Sequence, residues 1–513
     1  MRNTRILTLG IIVLVFMVAF IVSVWNPFTP RIMSPKDQPT ACWQPDSPIA
    51  QFDPKTAVYS DFLPINDGID ALSWRLALIE SAQERIDVQY FMWHMDEVGL
   101  LILERLLSAA DRGVKVRILL DDLMGGLDRE WLLASAHENV EVRLFNPFRT
   151  RDDNWLARGP EWLINISRLN RRMHNKLFLV DQKIGIMGGR NISNEYFGLG
   201  SHLDFRDFDL LVSGPVSYQL DESFETFWHS TWTYAPKKIT EQRKNQNDLD
   251  VFRETTRQWL SKAEKIAYLQ DLGYNWEDKL TEARKRFIHA SAKVIYDCPP
   301  GTKSDKPVQR VIVSFRDLLH VTDKKILLVS PYVVLPDSIR EHLFDAMERN
   351  VTVQLLTNSL AAADQNITFS AYAKSRNTLL SNGINIYEMK ANGEHWDNYR
   401  TPLSSGEYLS VHAKIVLLDD DKVMVGSPNL DPRSKLLNSE IALLIRSKEL
   451  SQRISQLFKR DLQAENSWQV RLDDAGKMYW EAGDEKYYKE PARSTLQRLQ
   501  VFFFSLFPID DQL

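Results

Sequence analysis

Apolar positions change period repeatedly along the chain, and each change marks an element. Residues 74–82 are apolar at helical spacing, and residues 84–91 read as a strand. A helical pattern over 98–111 stops before Gly113, and residues 114–121 and 140–145 return to strand character. The second half begins the same order again. A strand is predicted over 324–329, a helix over 338–349, a strand over 351–356, a helix over 370–381 and a strand over 384–387. Residues 112–120 line up with residues 349–357. Each half then closes on a hairpin followed by a strand and a helix, over 209–227 and 441–458. Strands alternating with helices predict an α/β fold with a mixed sheet flanked by helices. The repeat predicts two homologous lobes facing each other across a pseudo-two-fold axis.

The same pattern sets the boundaries. The lobes are expected at residues 61–235 and 298–465, joined by a charged, helix-favouring linker over 236–297. Residues 6–25 form an uncharged apolar run long enough to span a bilayer, with Arg2 and Arg5 before it. No small-residue cleavage site follows promptly. Residues 1–30 therefore read as an uncleaved transmembrane signal anchor, and residues 31–60 as a Pro-rich, polar spacer. This arrangement puts the body of the protein outside the cytoplasm. The tail, residues 466–513, contains an apolar run over 496–507. Packing against the core is the simpler reading of that run, and seating at a membrane interface is the other.

Length and composition alter this picture little. A chain of 513 residues exceeds one ordinary core, which agrees with two lobes. A net charge of -5 without a long basic run argues against a nucleic-acid partner. The two cysteines, Cys42 and Cys298, form no CxxC pair, which removes zinc clusters and disulfide frameworks and leaves room for one disulfide.

The repeated hairpins carry the chemistry. His174 and Lys176 are followed by Asp181, Gly188 and Asn191; His412 and Lys414 are followed by Asp419, Gly426 and Asn429 at identical spacing. Residues two apart on a strand share a face, so each His projects with its Lys. Two imidazoles, two ammonium groups and two amides would then converge. No carboxylate lies between His and Lys and no HExxH or Cys/His set occurs, so neither a metal nor a cofactor is expected. This set suits attack on a phosphodiester. One imidazole is the nucleophile, the other the general acid and then base, and the Lys and Asn side chains stabilise the phosphoryl oxygens. Each imidazole needs its second nitrogen held, and Asp207 and Glu440, early in the strand after each hairpin, are the candidates. Asp181 and Asp419, at hairpin turns, are expected to be structural. Arg171 and Arg172 could steer phosphate or form a solvated basic pair, and Asp121 and Asp122 could simply end a strand.

The pattern His-x-Lys-x4-Asp-x6-Gly-x-x-Asn, present twice, resembles the phospholipase D superfamily. The stretches Tyr90 to Asp96 and Gly188 to Phe197 resemble the bacterial cardiolipin synthases, and Leu506 to Leu513 the cardiolipin synthase C-like group. Ser193 and Asn194 depart from the Gly-Asp expected after the first motif. The resemblance implies a membrane-bound phosphatidyltransferase of the bacterial inner membrane, with its lobes on the periplasmic or outer side. Its substrates would be phosphatidylglycerol and a second phospholipid, with phosphatidylethanolamine an alternative, and its route a covalent phosphatidyl-histidine. Hydrolysis to phosphatidic acid, nuclease activity and a non-catalytic lipid-binding scaffold are the competing readings.

Overall fold

The computed structural model describes residues 58–507, apart from 124–128, 152–154, 241, 243, 263–268, 270–271, 273–274 and 302–310. The apolar run at 6–25 lies outside the described residues. No helix among the described residues is long and apolar enough to cross a membrane.

The first half contributes β1 (Val58–Ile65), β2 (Arg85–Tyr90), β3 (Lys115–Asp121), β4 (Val140–Phe145), β5 (Leu177–Val180), β6 (Ile184–Gly188), β7 (Leu203–Arg206), β8 (Asp209–Ser213) and β9 (Thr233–Tyr234). The second half contributes β10 (Ile288–Tyr296), β11 (Lys325–Val329), β12 (Thr352–Asn358), β13 (Asn385–Met389), β14 (Tyr408–Val411), β15 (Ile415–Leu418), β16 (Lys422–Gly426) and β17 (Ile441–Arg446). Three more strands, β18 (Ser467–Leu472), β19 (Met478–Ala482) and β20 (Glu485–Tyr487), follow at one edge.

All but β7 and β14 join one mixed sheet, in the order β9-β4-β3-β2-β5-β6-β8-β1-β10-β17-β16-β15-β11-β12-β13-β18-β19-β20. From β4 to β13 this order reads as a palindrome of the repeat, with antiparallel β1 and β10 at its centre. The parallel stretches β2-β3-β4 and β11-β12-β13 need crossover helices, which are the helical segments seen in the sequence. Asp96 caps the helix Glu97–Asp111 by accepting from Gly99 N–H, and Gly113 ends it with φ 93°, a backbone setting that glycine adopts without steric cost.

Apolar packing follows the same division. One buried cluster lies under the helices of the first half and one under those of the second. A third joins the halves, bringing Phe62 and Leu210 against Val294, Ile441 and Leu443.

Two sequence readings change here. The linker is helical over Gln246–Lys262 and Trp276–Arg286, but Ile288–Tyr296 is a strand at the centre of the sheet. Its burial alternates along most of its length, and the charged residues before it masked that period. The apolar tail forms the helix Thr495–Ser505, whose buried residues are only Gln497 and Val501. It packs on the surface rather than in the core.

Candidate active site

Strand register builds the site. β7 and β14 pair in parallel, with Val411 opposite Arg206, so the next residues, His412 and Asp207, fall side by side. His412 N–H donates to the Arg206 carbonyl (2.8 Å), and His412 Nδ1 lies 2.6 Å from Asp207 Oδ2. A second parallel bridge pairs Met173 with Ser439, which sets His174 beside Glu440. His174 N–H donates to the Ser439 carbonyl, and His174 Nδ1 is 2.9 Å from Glu440 Oε2. The pairing is crossed: each half supplies the carboxylate for the other half's imidazole.

The six expected side chains are buried, and these contacts bring them together. Lys176 Nζ donates to the His174 carbonyl (2.6 Å) and lies 5.5 Å from the Phe91 ring centre. Phe91 also meets the His174 ring edge-on, at 5.0 Å. Lys414 Nζ donates to the His412 carbonyl and sits against that ring, 3.1 Å from Nε2. Asn191 Nδ2 donates to Tyr196 Oη at 2.9 Å. The Oδ1 atoms of Asn191 and Asn429 have no partner, and Asn191 keeps its second Nδ2 hydrogen for a bound phosphoryl oxygen while the first goes to Tyr196.

Burial sets the electrostatics. It lowers His174 to about 4, against the pull of Glu440, and His412 to about 3 with the help of the Lys414 charge. Burial pushes both carboxyls up, but the paired imidazoles and the nearby lysines more than offset it, and Asp207 and Glu440 are each held down to about 2. The resting pairs are therefore a carboxylate accepting Nδ1–H from a neutral imidazole, with the Nε2 lone pair left for chemistry. Desolvation also lowers Lys176 to about 7 and Lys414 to about 8.

The motif aspartates stand apart from the cluster. Asp181 and Asp419 both adopt left-handed backbone, at φ 50° and 53°, a setting Asp tolerates better than most residues. Asp181 accepts the N–H groups of Gln83, Glu84 and Arg85 at 2.8–3.1 Å; Asp419 accepts those of Asp323 and Lys324 and pairs with Lys422. Each fastens its hairpin to the start of the neighbouring strand. Asp181→Ala is expected to cost about 1–3 kcal/mol of stability while leaving kcat within a few-fold, checked by denaturant titration beside a turnover assay.

Arg172 is not solvated. It is buried and paired with Asp121 at 3.2 Å, and Asp121 also accepts Met173 N–H (2.9 Å), which fixes the backbone ahead of His174. Asp122 accepts Phe148 N–H and pairs with Arg151.

Sequence reasoning missed Tyr196, whose Oη lies 3.4 Å from His412 Nε2, and Ser427 and Ser434, whose hydroxyls both donate to Glu440. Spacing held the signal, because Tyr196 follows Asn191 by five residues as Ser434 follows Asn429. Close packing explains the glycines: a Cβ on Gly189 would fall 2.2 Å from Asp207 Oδ1. Ser427 stands at the corresponding place in the second motif. Among the described residues, His94, Asp96 and Glu195 also cluster closely enough to share an ion, but both Asp96 oxygens accept backbone N–H groups, from Gly99 and Asn194.

Fold and site define an enzyme of the phospholipase D class. The family model described as "Cardiolipin synthase, PLD-like domain" matches residues 76–228 and 315–462, one copy in each half. The chain belongs to this family and is a phosphatidyltransferase. It is 33% identical to cardiolipin synthase C of Escherichia coli K12, over 87% of this chain and 95% of that protein. It is 24% identical to cardiolipin synthase A of Pseudomonas putida W619, over 80% of this chain and 70% of the relative. Among solved structures, phosphatidylserine synthase of Haemophilus influenzae Rd KW20 shares the fold, with a TM-score of 0.56 at 14% identity, covering 88% of this chain and 95% of that one.

Proposed function

We propose that the enzyme makes cardiolipin from phosphatidylglycerol and a second phospholipid, without a metal ion. The observation that carries this reading is the crossed pair of buried imidazole–carboxylate contacts, flanked by Lys176 and Lys414. His174 Nε2 attacks phosphorus, the P–N bond forms as the bond to the departing alcohol breaks, and His412 gives that alcohol its proton. The deprotonated His412 then takes a proton from the hydroxyl of the incoming phosphatidylglycerol, whose oxygen displaces His174. A bound phosphodiester anion raises the pKa of the adjacent His412, which takes up from water the proton it then gives to the leaving alcohol, while His174 Nε2 stays unprotonated to attack. His174 is the better nucleophile, because Lys414 and Tyr196 crowd the Nε2 of His412.

The palindromic strand order supports two homologous lobes about a pseudo-two-fold axis. Cys298 is disulfide-bonded, a state that persists in oxidising compartments, which supports a body outside the cytoplasm and anchored by residues 6–25. The chain's other cysteine, Cys42, lies outside the described residues.

Purified protein given labelled phosphatidylglycerol, with and without phosphatidylethanolamine, tests the reaction. Labelled cardiolipin is expected. Phosphatidic acid as the sole product would replace transfer by hydrolysis, and no turnover would sink both. A further outcome concerns pH. Because Lys176 and Lys414 lose their protons near 7 and 8, kcat/KM is expected to fall as pH rises through that range, as ammonium charge leaves the phosphate site. A profile flat to pH 10, where ordinary lysines titrate, would contradict this.

A further inference from the structure

We infer that the C-terminal helix is a lipid-docking element that seats the mouth of the active site on an anionic bilayer surface. The reasoning starts from exposure. Leu496, Leu499, Phe502, Phe503, Leu506 and Phe507 are 44–64% exposed and recur at helical spacing on the helix Thr495–Ser505 and just after it. A contiguous apolar stripe of this kind marks an interaction surface rather than an ordinary solvated face.

The helix is held firmly on its other side. Gln497 Nε2 donates to the Leu360 carbonyl at 2.7 Å, Arg493 donates to the Ala363 carbonyl, and Asn366 Nδ2 donates to Gln500 Oε1. The aromatic stripe is therefore presented by a packed helix.

Position and charge name the occupant. The segment clasped by this helix, residues 360–366, carries Asp364, which is bonded by Tyr332 Oη and whose negative charge acts on Lys414 in the active site. The first turns of the C-terminal helix thus border the segment that carries Asp364, and the stripe runs from there along the helix Asn366–Ser381 to Lys374, which donates to the Phe507 carbonyl. The helix Asn366–Ser381 packs against the C-terminal helix, and neither contains an acidic residue, while Lys374 and Arg498 provide positive charge. Apolar bulk beside two cations, Lys374 and Arg498, each also donating to a backbone carbonyl, suits a bilayer with anionic headgroups. Further exposed apolar residues adjoin both motifs. Leu163 and Ile166 precede the His174 segment, and Leu436 ends the short helix after Asn429.

This inference rests on the proposed reaction only for the choice of lipid, so the test separates the two. Full-length Phe503→Cys protein carrying a fluorophore is placed in vesicles of phosphatidylglycerol and phosphatidylcholine with quencher-bearing acyl chains. At least threefold quenching is expected. An unquenched label would overturn the inference. So would a label already protected in detergent and exposed on dilution, which would assign the face to a second copy of the chain. In parallel, the Phe502→Asp/Phe503→Asp protein is expected to lose at least tenfold activity on bilayer lipid and to stay within twofold of the parent on short-chain phosphatidylglycerol dispersed in water. An equal loss on both would overturn docking. A parent inactive on either lipid would count against the reaction and leave the quenching result to decide docking.

Discussion

With His174 as the proposed nucleophile, His174→Ala is expected to abolish phosphatidyl transfer, with kcat reduced by about 10⁴-fold or more, because the P–N bond can no longer form at that position. His412→Ala should be as severe on natural lipids for a different reason. The leaving alkoxide has lost its proton donor, but the nucleophile and its Glu440 contact remain. A substrate whose leaving group needs no proton, such as a nitrophenyl ester, should then restore the first step alone. Labelled phosphatidyl should accumulate on the His412→Ala protein and be absent from the His174→Ala protein. Label on the latter would reverse the two roles. The double variant should be little worse than either single one, since the two groups act as a unit.

The second large effect comes from the crossed carboxylates. Asp207→Asn and Glu440→Gln keep the shape of each contact but replace a carboxylate oxygen with an NH2 donor and remove the negative charge that fixes the imidazole tautomer and stabilises its protonated form. Each is expected to cost roughly 10³–10⁴-fold in kcat with little change in KM. The crossing makes this informative. Asp207→Asn, in the first half, should disable acid–base chemistry at His412, so the nitrophenyl ester should rescue adduct formation there. Glu440→Gln, in the second half, should disable the nucleophile and show no such rescue. If the carboxylates served the histidines of their own halves, the two rescue patterns would be exchanged.

Much of this arrangement was legible in the sequence. The alternation of strand and helix, the duplicated order and the His-Lys spacing are local properties, and the structure places those residues where the pattern puts them. Asp207 and Glu440 were legible as carboxylates close to the hairpins. Which imidazole each would meet was not, because it depends on Val411 pairing with Arg206 and Ser439 with Met173, contacts between segments more than 200 residues apart. The same holds for Arg172, whose burial against Asp121 no local pattern announces. β10 was hidden for a simpler reason: its neighbours in sequence are exposed helices, whereas its neighbours in space are β1 and β17. The tail misled in the opposite direction, since apolar content alone does not distinguish a side chain facing the core from one facing outward.

The central pairing of β1 with β10 also constrains how the enzyme can move. Many enzymes admit a bulky substrate by swinging two domains apart about a hinge. Here such a swing would break ladder hydrogen bonds over Val58 to Phe62 and pull apart both imidazole–carboxylate contacts together. The β1–β10 ladder, the shared buried cluster and the two crossed contacts all tie the halves together and oppose such a swing. A lipid substrate would have to enter with the β1–β10 ladder and both imidazole–carboxylate contacts in place.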